Sequence, residues 1–304
     1  MEEIKLSVVI PTYNRKTKLK NLLLSIEKNF QIKSLYEIIV IDDASTDGTD
    51  EMIRKEFTYV KYYRHNNIGL VGKSRNDGIH FSSGDLILFI DDDNQLIDDS
   101  IGEIVTYMGK HPDVGVMAPV TCYLSDPNTI MYAGSKFSTI IKKTVSLYEK
   151  KKFSTLHDQI LEVDAIANCS IINRKLAIDV GLIDYPKYPF IFEDGDLIYK
   201  IKKSGYKIMT YGNAKTLHDY PICPDIQYIK KRYNSMRSYY NIRSKIFFLK
   251  DFNKRFTNIF LIPGYYFAYI FEMISKGNFN LKNFKALTYG LIDGIYNKYD
   301  LKYY

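Results

Sequence analysis

The chain has 304 residues, long for one domain and short for three, and its 46% hydrophobic content supports a sizeable core and excludes a disordered chain. Its three cysteines, Cys122, Cys169 and Cys223, are odd in number, widely spaced and without a C-x-x-C pair, which excludes a disulfide framework and a cysteine zinc site and points to a reducing compartment. The net charge of +7 hides a split: residues 228–304 hold 14 Lys/Arg against 4 Asp/Glu, a net +10, which leaves −3 for residues 1–227.

Met1–Lys5 runs straight into a strand-like stretch without a charged head or an apolar signal core, so the catalytic part is expected to face the cytoplasm. Leu6–Ile10 is a short apolar strand stopped by Pro11, and Leu19, Leu22, Leu23 and Ile26 follow at helical spacing. Ile38–Ile41 is a second strand ending in Asp42-Asp43, after which Ser45–Gly48 opens a short helix through Met52 and Ile53. Val60–Tyr63 is a weaker third strand, Asn66–Gly69 a turn, and Val71–Phe81 a helix. Leu86–Ile90 is the fourth strand, running directly into Asp91-Asp92-Asp93. Repeated β-α-β at this spacing predicts an α/β fold with a largely parallel sheet and helices on both faces. Its loops at Pro11–Asn14, Asp42–Ser45, Asn67–Gly69 and Asp91–Asp93 then share one edge, where open α/β sheets bind ligands.

The aspartate triplet is the most informative feature. In an extended chain residues i and i+2 point the same way, so Asp91 and Asp93 are expected to face one site while Asp92 turns aside. Two converging carboxylates repel unless a cation sits between them, and a hard divalent ion is the usual partner. The plain alternative is an acidic loop capping the helix that begins near Asp98. A dinucleotide-binding oxidoreductase would need G-x-G-x-x-G after the first strand, where this chain has Pro11-Thr12-Tyr13-Asn14-Arg15. A P-loop is excluded because Asn67 stands where Gly72-Lys73-Ser74 would require the first glycine. A sugar-nucleotide pyrophosphorylase is similar in layout but has a glycine-rich phosphate loop that is missing here.

With these motifs in order, the sequence resembles family 2 glycosyltransferases of the GT-A fold, in particular a rhamnosyltransferase-like subgroup. Ser7–Arg15 matches the family's opening motif, Asp42–Thr49 its second, Asn67-x-Gly69 with Arg75-Asn76 its third, and Ile90–Asp93 its metal-binding one. Phe192–Leu197 resembles the acidic motif on the acceptor side, and the likeness covers roughly residues 4–220. The resemblance implies an inverting transfer of a sugar from a nucleotide-diphosphate donor, with Mg²⁺ or Mn²⁺ as cofactor. It places the nucleoside at Pro11, Thr12, Tyr13, Asp42 and Asp43, with Asn67, Gly69, Arg75 and Asp92 completing the donor set. Asp42 is preferred as the binder, since Asp43 or Ser45 can instead cap the next helix. Arg75 sits where a cation could meet a diphosphate, the other reading being an ordinary solvated helix face.

Asp91 and Asp93 would hold the ion, which assists a departing nucleoside diphosphate as a Lewis acid. His218, after a short strand at Lys207–Thr210, is implied as the third ligand. Glu193, Asp194 and Asp196 precede a helical pattern, where acids also favour a helix N-terminus electrostatically. An alcohol needs a base as it attacks, and the resemblance favours Asp194 in that role with Glu193 in support.

A boundary is expected near residue 225, separating a catalytic domain (1–225, donor half to about 95, acceptor half 96–225) from a helical tail at 226–304. The tail holds 12 of 27 tyrosines and 9 of 17 phenylalanines and mixes Lys230, Lys231, Arg232, Arg237, Arg243 and Lys245 with Tyr233, Tyr240, Phe247 and Phe248. Between Arg255 and Lys276 only Glu272 is charged. Pro263-Gly264 predicts a broken helix lying in a membrane interface or re-entering it rather than spanning it, and basic residues with aromatics suit an anionic cytoplasmic leaflet. The other reading is helices that bury these aromatics against the protein; nucleic acid is not an expected partner. The expected protein is therefore a cytoplasmic, membrane-peripheral enzyme acting on a lipid-linked or surface-glycan acceptor. The alternative is a non-catalytic glycan-binding or scaffold protein on the same fold.

Overall fold

The computed structural model describes residues 4–29, 35–137, 144–225, 227–229, 234–252 and 255–302. Lys230, Lys231, Arg232 and Tyr233 of the basic tail lie outside the described residues. The opening segment alternates as the pattern predicts: β1 (Leu6–Thr12), α1 (Lys16–Asn29), β2 (Leu35–Asp42), α2 (Thr49–Glu56), β3 (Lys61–Arg64), α3 (Leu70–Phe81) and β4 (Leu86–Ile90). Strands β4, β1, β2 and β3 are adjacent and parallel, which sets their carboxyl ends along one edge. Val8, Ile10, Val40 and Leu88 face one layer, with Leu19, Leu22 and Ile26 of α1. Val9, Ile39, Ile87 and Phe89 face the other, with Ile79 of α3. This is the period-two alternation of a sheet covered on both faces. Gly78 permits the close seat of α3 on β1, since a Cβ there would lie 2.2 Å from Val9 Cγ1.

The chain continues through β5 (Asn94–Leu96), α4 (Ser100–Lys110), β6 (Val114–Tyr123), β7 (Asp126–Tyr132), β8 (Ser135–Phe137), β9 (Thr144–Ser146) and β10 (Ile160–Glu162). Then come β11 (Cys169–Asn173), α5 (Arg174–Asp179), α6 (Glu193–Lys203) and β12 (Lys207–His218). The main sheet runs β10-β12-β6-β11-β4-β1-β2-β3, with β5 on β12 and β7 on β6. It is mixed: β11 lies antiparallel to both β4 and β6, while β6 and β12 are parallel.

Four expectations need correction. Pro11 does not stop β1, which continues to Thr12. Its pairing with β4 ends at Val9↔Phe89, so Pro11 has a strand on one side only and its missing N–H breaks no ladder. The strand before His218 is not a short one at Lys207–Thr210; β12 extends to His218, absorbing an irregularity between Tyr211 and Lys215. Asp91–Asp93 is a turn beyond β4, with Asn94 N–H donating to Asp91 C=O at 3.0 Å, so strand alternation does not govern its side chains. The predicted break at Pro263-Gly264 is absent, because the last-but-one helix runs unbroken through both residues.

The chain divides into two compact units, Met1–Ile183 with Leu197–Pro221, and Asp184–Asp196 with Ile222–Tyr304. The second contains α7 (Ser235–Phe252), α8 (Arg255–Ser275) and α9 (Leu281–Ile295). Gly290 lets α9 approach α7, since a Cβ would lie 2.3 Å from the Tyr239 carbonyl oxygen. Arg243, fully buried, is the hub. It donates to the carbonyls of Asp300 at 2.9 Å, Pro186 at 3.4 Å and Lys187 at 3.5 Å, and its guanidinium lies over the rings of Tyr239, Tyr240 and Phe247. The tail thus organises residues 184–196, which hold the first acids of the acceptor-side motif, and cutting the chain at 228 would strip that segment of its partners. Arg243→Leu should lower the unit's stability by on the order of 3 kcal/mol, because three part-buried carbonyls lose a charged donor and three aromatic rings lose the guanidinium packed over them. Chemical denaturation measures this, and an unchanged midpoint would assign Arg243 no structural weight.

Candidate functional site

The loops at the carboxyl ends of β1 and β4 converge on the aspartate turn. Thr12 Oγ1 donates to Asp92 Oδ2 at 2.8 Å. Arg15 Nη1 bridges consecutive carboxylates, 2.8 Å from Asp92 Oδ1 and 2.9 Å from Asp93 Oδ2, while its side chain is 46% exposed. Lys18 Nζ stands 3.8 Å from Asp93. The β5–β12 ladder pairs His218 with Asn94, and Asp219 N–H donates to Asp93 C=O at 2.8 Å. That register brings His218 Nε2 to 3.1 Å from Asp93 Oδ1 across 125 positions of sequence. Arg75, buried on α3, reaches Asp91 Oδ1 at 2.8 Å with its guanidinium over Phe89.

These neighbours divide the carboxylates electrostatically. Burial raises the Asp92 carboxyl to about 6, against the opposing pull of Arg15. Burial would also raise Asp93, but the His218 hydrogen bond and the charges of His218, Arg15 and Lys18 outweigh it and hold Asp93 well below the usual carboxylate range. Asp93 is thus held ionised, as a cation ligand must be.

The donor-loop carboxylates are held by the protein's own groups. Asp42 is fully buried; it accepts Ser45 N–H at 2.8 Å and the Tyr62 hydroxyl. Asp43 does not cap α2: it accepts the N–H groups of Gly69 at 2.8 Å and Leu70 at 2.9 Å at the start of α3, and pairs with His65 Nδ1 at 2.8 Å. Both carboxylates act as anchors of the β2 and β3 loops, and α2 begins after Gly48 without a side-chain cap. Tyr13 and Asn67 are exposed beside buried Pro11, Thr12 and Gly69. Left-handed backbone recurs in the same loops, at Asn14 (φ 51°), Ala44 (φ 69°) and Leu70 (φ 65°). Strain of this kind at bulky residues persists where surrounding contacts over-determine it, and it gathers at functional sites.

His65 also contacts Asp77 at 2.7 Å, and its hydrogen bond to Asp43 raises its pKa. A raised folded pKa adds stability that is full below the unfolded value of about 6.5 and is lost as pH rises through the folded value. The thermal midpoint should therefore fall across that interval, and His65→Gln should flatten the slope. An equal slope in the variant would remove His65 as its source.

In the second unit, Glu193 and Asp196 are buried and Asp194 is half-buried at the start of α6. Asp196 Oδ2 accepts Asp184 N–H at 2.8 Å, which makes it an anchor.

The proposed ligand set is brought together in part. Asp93 and His218 converge as an oxygen and nitrogen pair that suits Mn²⁺ better than the oxygen-seeking Mg²⁺, whereas Asp91 is taken by Arg75. Among the described residues no three His, Cys, Asp or Glu side chains form a metal-binding group. The donor set therefore fits in two of three members, and Asp91 would join by leaving Arg75. The reading of single residues missed Arg15 as a site residue; its signal was its place in the opening motif.

The chain is similar to glycosyltransferases of known sequence and structure. The chain is 38% identical over 111 residues to the GalNAc(5)-diNAcBac-PP-undecaprenol beta-1,3-glucosyltransferase of Campylobacter jejuni, covering 35% of this chain and 34% of that protein. The matched stretch is about a third of the length of the first curated relatives. Staphylococcus aureus TarS 1–349 in complex with UDP-GlcNAc superposes with a TM-score of 0.61 at 17% identity, over 96% of this chain and 82% of that one. GalNAc-T7 with UDP, GalNAc and Mn²⁺ gives 0.61 at 20% identity, over 81% and 51%. These likenesses show a GT-A glycosyltransferase fold. The family model for glycosyl transferase family 2 matches residues 7–181, more than half of the chain, and the protein belongs to that family.

Proposed function

We propose that the protein is an inverting, divalent-metal-dependent glycosyltransferase that moves a sugar from a nucleotide-diphosphate donor to a hydroxyl of a lipid-linked or surface-glycan acceptor at the cytoplasmic face of an anionic membrane. The observation that carries this is the Asp93 carboxylate paired with His218 and bridged by Arg15 at the carboxyl edge of the parallel strands. Asp93 and His218, with Asp91, would hold Mg²⁺ or Mn²⁺, which when bound supplies Lewis-acid relief of charge on the leaving diphosphate. Arg15 and Arg75 supply guanidinium groups suited to diphosphate oxygens. Tyr13 offers an exposed ring for stacking on the base beside Pro11 and Thr12. Asp42 and Asp43 shape the donor loop by holding Ser45, Gly69 and Leu70, with Asn67 exposed on it, and Asp92 fixes Thr12 and Arg15. Asp194, the half-buried acid of its motif, takes the proton of the acceptor hydroxyl as that oxygen attacks the anomeric carbon, with Glu193 in support.

A screen of nucleotide-sugar hydrolysis with Mn²⁺, read as release of nucleoside diphosphate, tests the reading. At least one donor should be turned over and chelation should stop it. Failure with every nucleotide sugar, in protein that retains its fold, would leave a binding or scaffold protein.

A further inference from the structure

Helix α8 is amphipathic in the reverse of the usual aromatic order. Its tyrosines face inward: Tyr265, Tyr266 and Tyr269 pack with Ile242 and Ile246 of α7 and Leu287 of α9. The Tyr266 hydroxyl shares a hydrogen bond with Thr288 Oγ1 at 2.9 Å, and the Lys245 ammonium lies 4.4 Å from the Tyr265 ring centroid. Its phenylalanines face outward, with Phe260 70%, Phe267 66% and Phe271 72% exposed, beside Ile274 at 56%. At 100° per residue these four positions fall within an arc of about 60°. The exposed positions between them, Pro263, Gly264 and Ala268, are uncharged.

We infer that this face of α8 seats the protein on an anionic bilayer, with the helix lying flat and its phenylalanines at the boundary of headgroups and acyl chains. No described helix is long and apolar enough to cross a membrane, which leaves an in-plane position. Charge complementarity selects the partner. The one acid of α8, Glu272, is paired with Lys276, and the exposed face of α9 sets Lys282 and Lys285 beside Leu281, Tyr289 and Ile292. The lysines face the anionic headgroups while the phenylalanines enter hydrocarbon. A protein partner would favour tyrosine and arginine on the contact face, and here the tyrosines of α8 point into the unit. The inference rests on the reading that the tail meets a membrane and is independent of the sugar chemistry.

The test is sedimentation of the full chain with phosphatidylcholine vesicles, with and without about a third phosphatidylglycerol. Phe267→Gln/Phe271→Gln, at exposed positions and so expected to keep the fold and thermal midpoint, should weaken binding by on the order of tenfold per phenylalanine, at low and high salt alike. Lys282→Gln/Lys285→Gln should remove the preference for phosphatidylglycerol and the salt sensitivity. Vesicle binding equal to wild type in the phenylalanine variant overturns the inference. So does a wild-type protein that ignores vesicles and forms a dimer which the phenylalanine variant dissociates, since the face would then seat a second copy. Donor hydrolysis measured beside it separates the two readings. Hydrolysis without vesicle binding refutes this inference alone; vesicle binding lost in the phenylalanine variant supports it even if no donor is hydrolysed.

Discussion

Replacing Asp93 by alanine is expected to abolish sugar transfer and to remove the part of donor affinity that depends on Mn²⁺. Three cationic or imidazole neighbours, His218 at 3.1 Å, Arg15 at 2.9 Å and Lys18 at 3.8 Å, converge on this carboxylate and keep it ionised. Removing it takes away the carboxylate of the Asp93–His218 pair, and losing Lewis-acid relief of the leaving group is worth several kcal/mol, on the order of 10³-fold or more in rate. Donor binding measured by calorimetry with and without Mn²⁺ checks the second half: the variant should bind equally in both conditions. Full transfer by the wild-type protein in excess chelator would contradict the metal reading altogether. Asp91→Ala is a sharper probe, because Arg75 holds Asp91 in this structure. A loss of Mn²⁺ affinity in that variant would mean that Asp91 leaves Arg75 to become a ligand.

Asp194→Asn should lower transfer by roughly 10²–10⁴-fold while leaving donor affinity close to wild type, since the amide keeps the shape and loses the basicity. Asp196→Asn is the contrast: its carboxylate accepts Asp184 N–H, so the change should be read in the stability of the second unit. If donor affinity collapses along with transfer in Asp194→Asn, the residue is structural. If transfer survives, Glu193 becomes the candidate base.

Much of the first unit was legible because its signals are local. Short apolar runs separated by helical spacing specify β1 to β4 and their helices, and residues such as Asp91–Asp93 follow a strand within the same few positions. Two features were misread for want of pairing information. Whether Pro11 ends a strand depends on how many neighbours β1 has at that level. How far β12 runs depends on β5 and β6. The break expected at Pro263 is a misreading of another kind: helix α8 runs through this residue although proline has no N–H to donate. Residues 97–190 carried short strands, among them β11 between β4 and β6, whose place follows only from pairing with distant partners.

The sequence by itself determined the order of motifs, the family they resemble and the crowding of positive charge and aromatics after residue 225, because composition and short-range period are properties of adjacent residues. The tertiary structure decided which groups meet. It set His218 against Asp93 through a strand register, laid Arg15 across two carboxylates and gave Asp42 and Asp43 to loop anchoring. It also joined residues 184–196 to the tail through Arg243 and turned the phenylalanines of α8 outward and its tyrosines inward. The reason is common to all of these: the partner of each group lies in another element of the fold, and no window of neighbouring residues contains the register or packing that selects it.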